Sequence, residues 1–257
     1  MSASLLLAET RTLLRARRTK LSAGLLLYAV IAVPFLLARP PAEVVSAVAR
    51  WFPSRDPAFA LFLFVWFDLG LNKLAALIGV VLAGGIVLDA EAQRMLPIYL
   101  AKPITRARYF LTRLGAAAIV FSLLFGGAAL AGLLLFPSQV PGFRAPVFLA
   151  ASALHLLGAL SAVVLSGAMA VWVRLRLGAM LSSLVLLFTL IGTAFLGFYA
   201  PAWAPALTLN PFSQGVSVLA HIDTLRPADV ARPAAILLSM HAAVVALGAL
   251  RVRRLEV

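Results

Sequence analysis

Six blocks of about twenty apolar residues dominate this chain of 257 residues. They run at approximately Leu21 to Ala38, Trp66 to Leu88, Gly115 to Phe136, Pro146 to Val173, Leu177 to Tyr199 and Ala234 to Leu250. A bilayer core about 30 Å thick is crossed by about twenty helical residues at about 1.5 Å each, so every block is long enough to span. No block alternates with the period of two that a transmembrane barrel needs. The sequence therefore predicts an all-α integral membrane protein of six transmembrane helices. It forms one domain over residues 1–257, without visible repeats or a soluble domain.

Composition narrows the function. The chain carries a formal charge of +13 and is 63% hydrophobic, with a mean hydropathy of +1.03. A soluble nucleic-acid binder would not be this apolar, and the basic residues sit at the ends of the blocks, where they read as topology signals. There is no cysteine, hence no disulfide framework, thiolate metal site or cysteine nucleophile. The first block has a basic flank and is followed by an "AVA" at 47–49, but the flank is long and "ARPPAEVV" intervenes. A retained helix is expected rather than a cleaved signal peptide.

Lys and Arg set the orientation. One side collects Arg11, Arg15, Arg17, Arg18, Lys20, Arg94, Lys102, Arg106, Arg108, Arg113, Arg174, Arg176, Arg251, Arg253 and Arg254; the other has only Arg39, Arg50, Arg55, Arg144, Arg226 and Arg232. The positive-inside rule then predicts both termini in the cytoplasm. Ahead of the first block, Arg11, Arg15 and Arg18 fall on one helical face and Leu6, Leu7, Thr10, Leu13 and Leu14 on another. This pattern predicts an N-terminal interfacial helix held by apolar burial and anionic lipid. On the outer side, the aromatics of "FPSRDPAFALFLFVWF" suit headgroup-level anchors, and the proline-broken residues 200–233 predict short external or re-entrant helices.

Catalytic patterns are missing. No Gly-Lys pair exists to build a phosphate loop, so the chain has no such route to ATP hydrolysis. His155, His221 and His241 are far apart in sequence and none adjoins a Glu, which removes the zinc-protease pattern; His155 and His241 read as satisfied bundle residues. No Gly-x-Ser-x-Gly elbow or paired carboxylates appear. The chain is not expected to be an enzyme or to bind a cofactor or metal.

Near the outer end of the second block, Asp68, Asn72 and Lys73 interrupt the apolar run, where a charge at full depth costs about 2.5 to 3.5 kcal/mol. Two readings stay open. The three residues form part of a path or gate, or the helix starts near Leu71 and leaves Asp68 in the headgroups with Lys73 snorkelling. Asp68 and Lys73 are five apart and fall on different helix faces.

The connection "DAEAQRMLPIYLAKPITRARYFLTRLG", residues 89–115, gathers charge, proline and aromatics between two apolar blocks. It starts acidic at Asp89 and Glu91, continues as a short amphipathic element and breaks at "AKP". It restarts with Thr105 as a helix cap ahead of Arg106, Arg108 and Arg113. Apolar and aromatic side chains on a short cytoplasmic helix suit a partner's groove or the bilayer surface.

This segment resembles the cytoplasmic segment of ABC-2 type transporter permeases. The resemblance rests on Asp89, Leu96, Pro97, Tyr99, Leu100, Pro103, Arg106 and Tyr109, with Ile98, Ile104 and Thr105 as conservative stand-ins. "LTLNPF" at 207–212 resembles the family's Asn-Pro after the fifth span, here Asn210 and Pro211. Arg94-Met95 replaces a common Gly-Thr, and Thr112-Arg113 replaces a Gly-Lys, keeping the charge and losing the glycine.

The resemblance implies a permease subunit of an ATP-driven exporter in a prokaryotic cytoplasmic (inner) membrane. Asp89, Glu91, Met95, Leu96, Pro97, Ile98, Tyr99, Leu100, Pro103 and Arg106 would form a coupling helix between spans 2 and 3. That helix would dock on a separate ATP-binding subunit, which carries the ATP and Mg. A second permease copy would complete the path, with Gly126, Gly127 and Ala131, or Gly192 and Gly197, as small residues for close helix approach. Two other classes compete: a non-transporting membrane scaffold that anchors a cytoplasmic ATPase or assembly, and a stand-alone secondary transporter.

Overall fold

The computed structural model describes residues 3–86, 88 and 104–254. Its described residues form helices and turns without a strand. In chain order they are α1 (Ala3–Arg15), α2 (Arg17–Ala38), α3 (Ala42–Trp51), α4 (Pro57–Ala83), α5 (Arg106–Leu135), α6 (Ala145–Val173), α7 (Arg176–Thr193), the single turn α8 (Leu196–Tyr199), α9 (Pro211–Leu219) and α10 (Pro227–Arg253). Six of them, α2, α4, α5, α6, α7 and α10, are long and apolar enough to cross a membrane. The chain is thus built as an integral membrane protein.

Several helices begin earlier than the apolar blocks do. The second span starts at Pro57 rather than Trp66, the third at Arg106 rather than Gly115, and the sixth at Pro227 rather than Ala234. The reason is local. Pro57 and Pro227 occupy first-turn positions, where the missing N–H has no helical partner to lose. Thr105 caps α5 as its sequence suggests, its Oγ1 accepting from the Arg108 N–H at 3.2 Å. The fifth span stops at Thr193 rather than Tyr199.

The fourth span, α6, is the hub and touches α4, α5, α7, α9 and α10. Spans 2 and 4 are mostly buried (67% and 61% of their apolar windows), whereas spans 1, 5 and 6 turn most of their surface outward (28%, 22% and 17% buried). Small residues let α4 approach α6: a Cβ on Gly79 would lie 2.5 Å from Ala162 Cβ.

The aromatics ahead of the second apolar block are not headgroup anchors. Phe59, Phe62, Trp66 and Phe67 are fully buried, because α4 already runs inside the bundle at these positions. They interlock with Phe136, Phe143 and Phe148; the Phe62 and Phe136 rings sit edge to face at 4.8 Å. Above this cluster Asp223 ties three connections together. It accepts from the Arg55 N–H at 2.7 Å, Ser54 Oγ at 3.2 Å and Arg144 Nη2 at 2.9 Å. The Arg55 N–H is the main cause that holds the Asp223 carboxyl below its ordinary value of 3.8; Arg144 and Ser54 add to it, against the opposing effect of burial.

At the other end, α1 lies against the first turns of α5. Thr10 and Leu13 are buried, Arg113 pairs with Glu9 at 2.6 Å, and a Cβ on Gly115 would touch Leu6. Leu7, Arg11, Leu14 and Arg15 remain exposed. The amphipathic pattern of this helix therefore divides between protein and surroundings.

Candidate functional site

Asp68 lies in a π-helical stretch of α4, Phe64–Leu71, a widened backbone that recurs at functional sites. It stands eleven residues into a helix of 27, roughly 16 Å from its start. The residue as a whole is 3% exposed and Asn72 is 2% exposed. This corrects the headgroup reading: the helix does not start near Leu71, and Asp68 faces the interior of the bundle. Asn72, one turn on, donates from Nδ2 to Asp68 Oδ1 at 3.0 Å.

The fourth span completes the cluster. His155 Nε2 lies 3.7 Å from Asp68 Oδ1, while His155 Nδ1 sits 2.9 Å from the Ala151 carbonyl oxygen. The Phe67 ring stacks on the imidazole at 4.2 Å. Gly215 of α9 closes the site, since a Cβ there would come within 3.0 Å of His155 Nε2. Any larger residue at 215 would press on the imidazole and push it aside.

The Asn-Pro motif explains how α9 is held there. Asn210 Oδ1 accepts from the Phe212 and Ser213 N–H groups and caps α9. Its Nδ2 donates to the Leu190 carbonyl at 2.8 Å and to Thr193 Oγ1 at 3.2 Å at the end of the fifth span. Ser213 Oγ adds a bond to the Ala194 carbonyl at 2.9 Å. Buried Pro211 brings its carbonyl oxygen against Gly158 of α6, where a Cβ would sit at 3.0 Å. The expected short helix between spans 5 and 6 therefore folds back onto the bundle as far as His155.

Lys73 is not part of this cluster. It is exposed, in line with Leu69, Leu77 and Val81 at four-residue intervals on the outward side of α4. Asp68 and Lys73 do fall on different faces. His241 lies apart from both and bonds through Nε2 to Ser161 Oγ at 2.8 Å. Among the described residues no three His, Asp or Glu side chains come together as a metal cage would require.

Of the coupling residues, Arg106 opens α5 and is half-buried. Asp89, Glu91, Met95, Leu96, Pro97, Ile98, Tyr99, Leu100 and Pro103 lie outside the described residues. Sequence reading did not bring Asp68 and His155 together, for they are 87 positions apart. The available signals were the i, i+4 spacing of Asp68 and Asn72 and a histidine inside an apolar block. Compared with models of known protein families and with curated proteins, the chain matches none.

Proposed function

We propose that the chain is the permease subunit of an ATP-driven ABC-2 type exporter in a prokaryotic cytoplasmic membrane. In this reading both termini are cytoplasmic and two copies enclose the path. The segment from Asp89 to Arg106 is the coupling helix on a separate ATP-binding subunit that supplies ATP and Mg. Anionic lipid contacts the exposed Arg11 and Arg15 of α1.

The observation that carries the reading is Lys73. Its exposed side chain belongs to a span of mean hydropathy 1.7, roughly 24 Å from the helix start at Pro57. Against lipid an ammonium there is costly, and such residues face a bundle interior or a watery cavity. Within one copy the Lys73 side of α4 is uncovered, so a second copy placed against it would turn the stripe Leu69, Lys73, Leu77 into the wall of a hydrated path. Gly126, Gly127 and Gly192 likewise have open space beyond their Cα atoms and remain free for contact between copies. Gly197 instead packs on Leu207 and Ala204 of its own chain.

The cysteine-free sequence makes the test direct. Lys73→Cys in native membranes should react with a membrane-impermeant maleimide, while Leu123→Cys in the middle of the third span, 57% exposed, should not. Equal protection of both positions would place Lys73 against lipid or protein and remove the path.

A further inference from the structure

The Asp68 and His155 side chains are each 1% exposed, and the fold leaves their hydrogen-bonding capacity incomplete. A carbonyl oxygen only accepts, so the contact of His155 Nδ1 with the Ala151 carbonyl places a hydrogen on Nδ1. In a neutral ring Nε2 is then a bare lone pair, and it faces Asp68 Oδ1 at 3.7 Å. An ionised Asp68 beside a neutral His155 would oppose two lone-pair surfaces in an apolar interior. It would also leave Oδ2, which meets no donor among the described residues, as an uncompensated anionic oxygen.

One added proton removes both faults. On the carboxyl group it makes a neutral O–H that faces the Nε2 lone pair across 3.7 Å, so a small side-chain approach completes a hydrogen bond; on Nε2 it makes an imidazolium that neutralises the carboxylate at the same distance. The Asn72 donation to Oδ1 suits either form. We propose that Asp68 and His155 form a single proton-binding site that ties the second span to the fourth, with α9 as its cover.

The charges on neighbouring elements are engaged elsewhere or lie at the far ends of their helices. On α4, Lys73 points outward. On α6, Arg144 precedes the first turn and is held by Asp223 and Asp56. In α9, Gln214 is uncharged and donates to the Thr208 carbonyl, and His221 lies past the helix end. On α10, His241 is bonded to Ser161, Asp229 and Arg232 lie in the first two turns and Arg251 and Arg253 in the last. On α5, Arg106, Arg108 and Arg113 occupy the first turns; on α7, Arg176 is the first residue. On α2, which packs on the Phe64–Leu71 stretch, Arg17, Arg18 and Lys20 occupy the first turn, with Arg18 donating to the Val81 carbonyl. The proton is therefore held by the pair alone. With Phe67 on one side and Gly215 on another, its exchange with water requires α9 to lift or α4 to part from α6. If the transport reading holds, any such movement during export links transport to pH; the site itself does not depend on that reading.

The test is solid-state NMR of the full chain in lipid bilayers, with 15N-labelled histidine and 13C-labelled aspartate. The signals of His155 are assigned by their loss in His155→Gln. The expected result is a His155 Nε2 resonance shifted towards the protonated form, which Asp68→Asn returns to that of an ordinary neutral ring. An Nε2 signal unchanged by Asp68→Asn would overturn the proposal. Should that variant not fold, the wild-type spectrum decides: an ionised Asp68 carboxyl beside a neutral His155 ring means the site is empty and the proposal fails. This outcome leaves Lys73 labelling, and with it the transport reading, untouched.

Discussion

Replacing Gly79 with alanine probes the contact that sets the spacing of the second and fourth spans. The new Cβ would meet Ala162 Cβ at 2.5 Å, the Ala162 carbonyl carbon at 2.9 Å and the Val163 nitrogen at 3.1 Å. Carbon pairs prefer about 3.5 to 4.0 Å, so the helices must separate by roughly 1 Å. Overpacking of this kind costs about 1 to 3 kcal/mol, while Gly→Ala within a helix returns about 0.5 to 1 kcal/mol. The obstructing atoms are backbone and a fixed Cβ rather than a side chain able to swing aside, so the clash wins, with an expected net loss of about 1 to 2 kcal/mol. Gly24→Ala provides the comparison, because nothing lies within 4 Å of its new Cβ. It should be neutral or stabilising by up to about 1 kcal/mol. Unfolding midpoints in one detergent should order the variants accordingly, and adding Ala162→Gly to Gly79→Ala should recover part of the loss. If Gly79→Ala is as stable as Gly24→Ala, the close approach of these spans is wrong.

Asp223→Asn should lower thermal stability at neutral pH, and the gap to wild type should close on acidification. A carboxyl held below its ordinary 3.8 contributes stability above that pH and loses it as pH falls through its folded-state value. A gap that stays constant between neutral and strongly acidic pH would contradict the staple of three connections by Asp223. Asn210→Ala should cost about 1 to 3 kcal/mol by removing a helix cap and two side-chain donations, with Asn210→Asp restoring the cap alone. Equal unfolding midpoints for the two would refute that division. A reporter active only outside the cytoplasm should work when fused after Pro141 or Asp223 and fail after Lys102, Arg176 or Val257; activity at Val257 would end the six-span topology.

The existence of the six spans is legible because about twenty apolar residues in a row admit few other structures. Their boundaries are less so, since a hydropathy run stops at charge while a helix need not. Arg106 to Arg113 continue α5 backwards, and Pro57 starts α4 nine residues before Trp66. The aromatics from Phe59 to Phe67 have the composition of an interfacial belt. Their burial depends on Phe136, Phe143 and Phe148, which only the folded chain brings near. Thr105 and Asn210 could be read as special positions because capping is local chemistry. Asp68 with His155, and Asp223 with Ser54, Arg55 and Arg144, are long-range pairings with no local signature.

The most direct measurement of the central claim is capture of the proposed ATP-binding partner from native membranes by the full chain. It is compared with a Leu96→Asp, Tyr99→Asp double variant and read as ATP hydrolysis by the captured material. These two side chains belong to the segment that resembles a coupling helix, and a carboxylate buried in a partner's groove costs several kcal/mol where an apolar anchor had been. The account predicts an ATP-hydrolysing complex with the wild-type chain, and none with the variant at equal abundance in the membrane. Equal ATP hydrolysis captured by both would show that residues 89–103 only connect two spans, and would contradict the account.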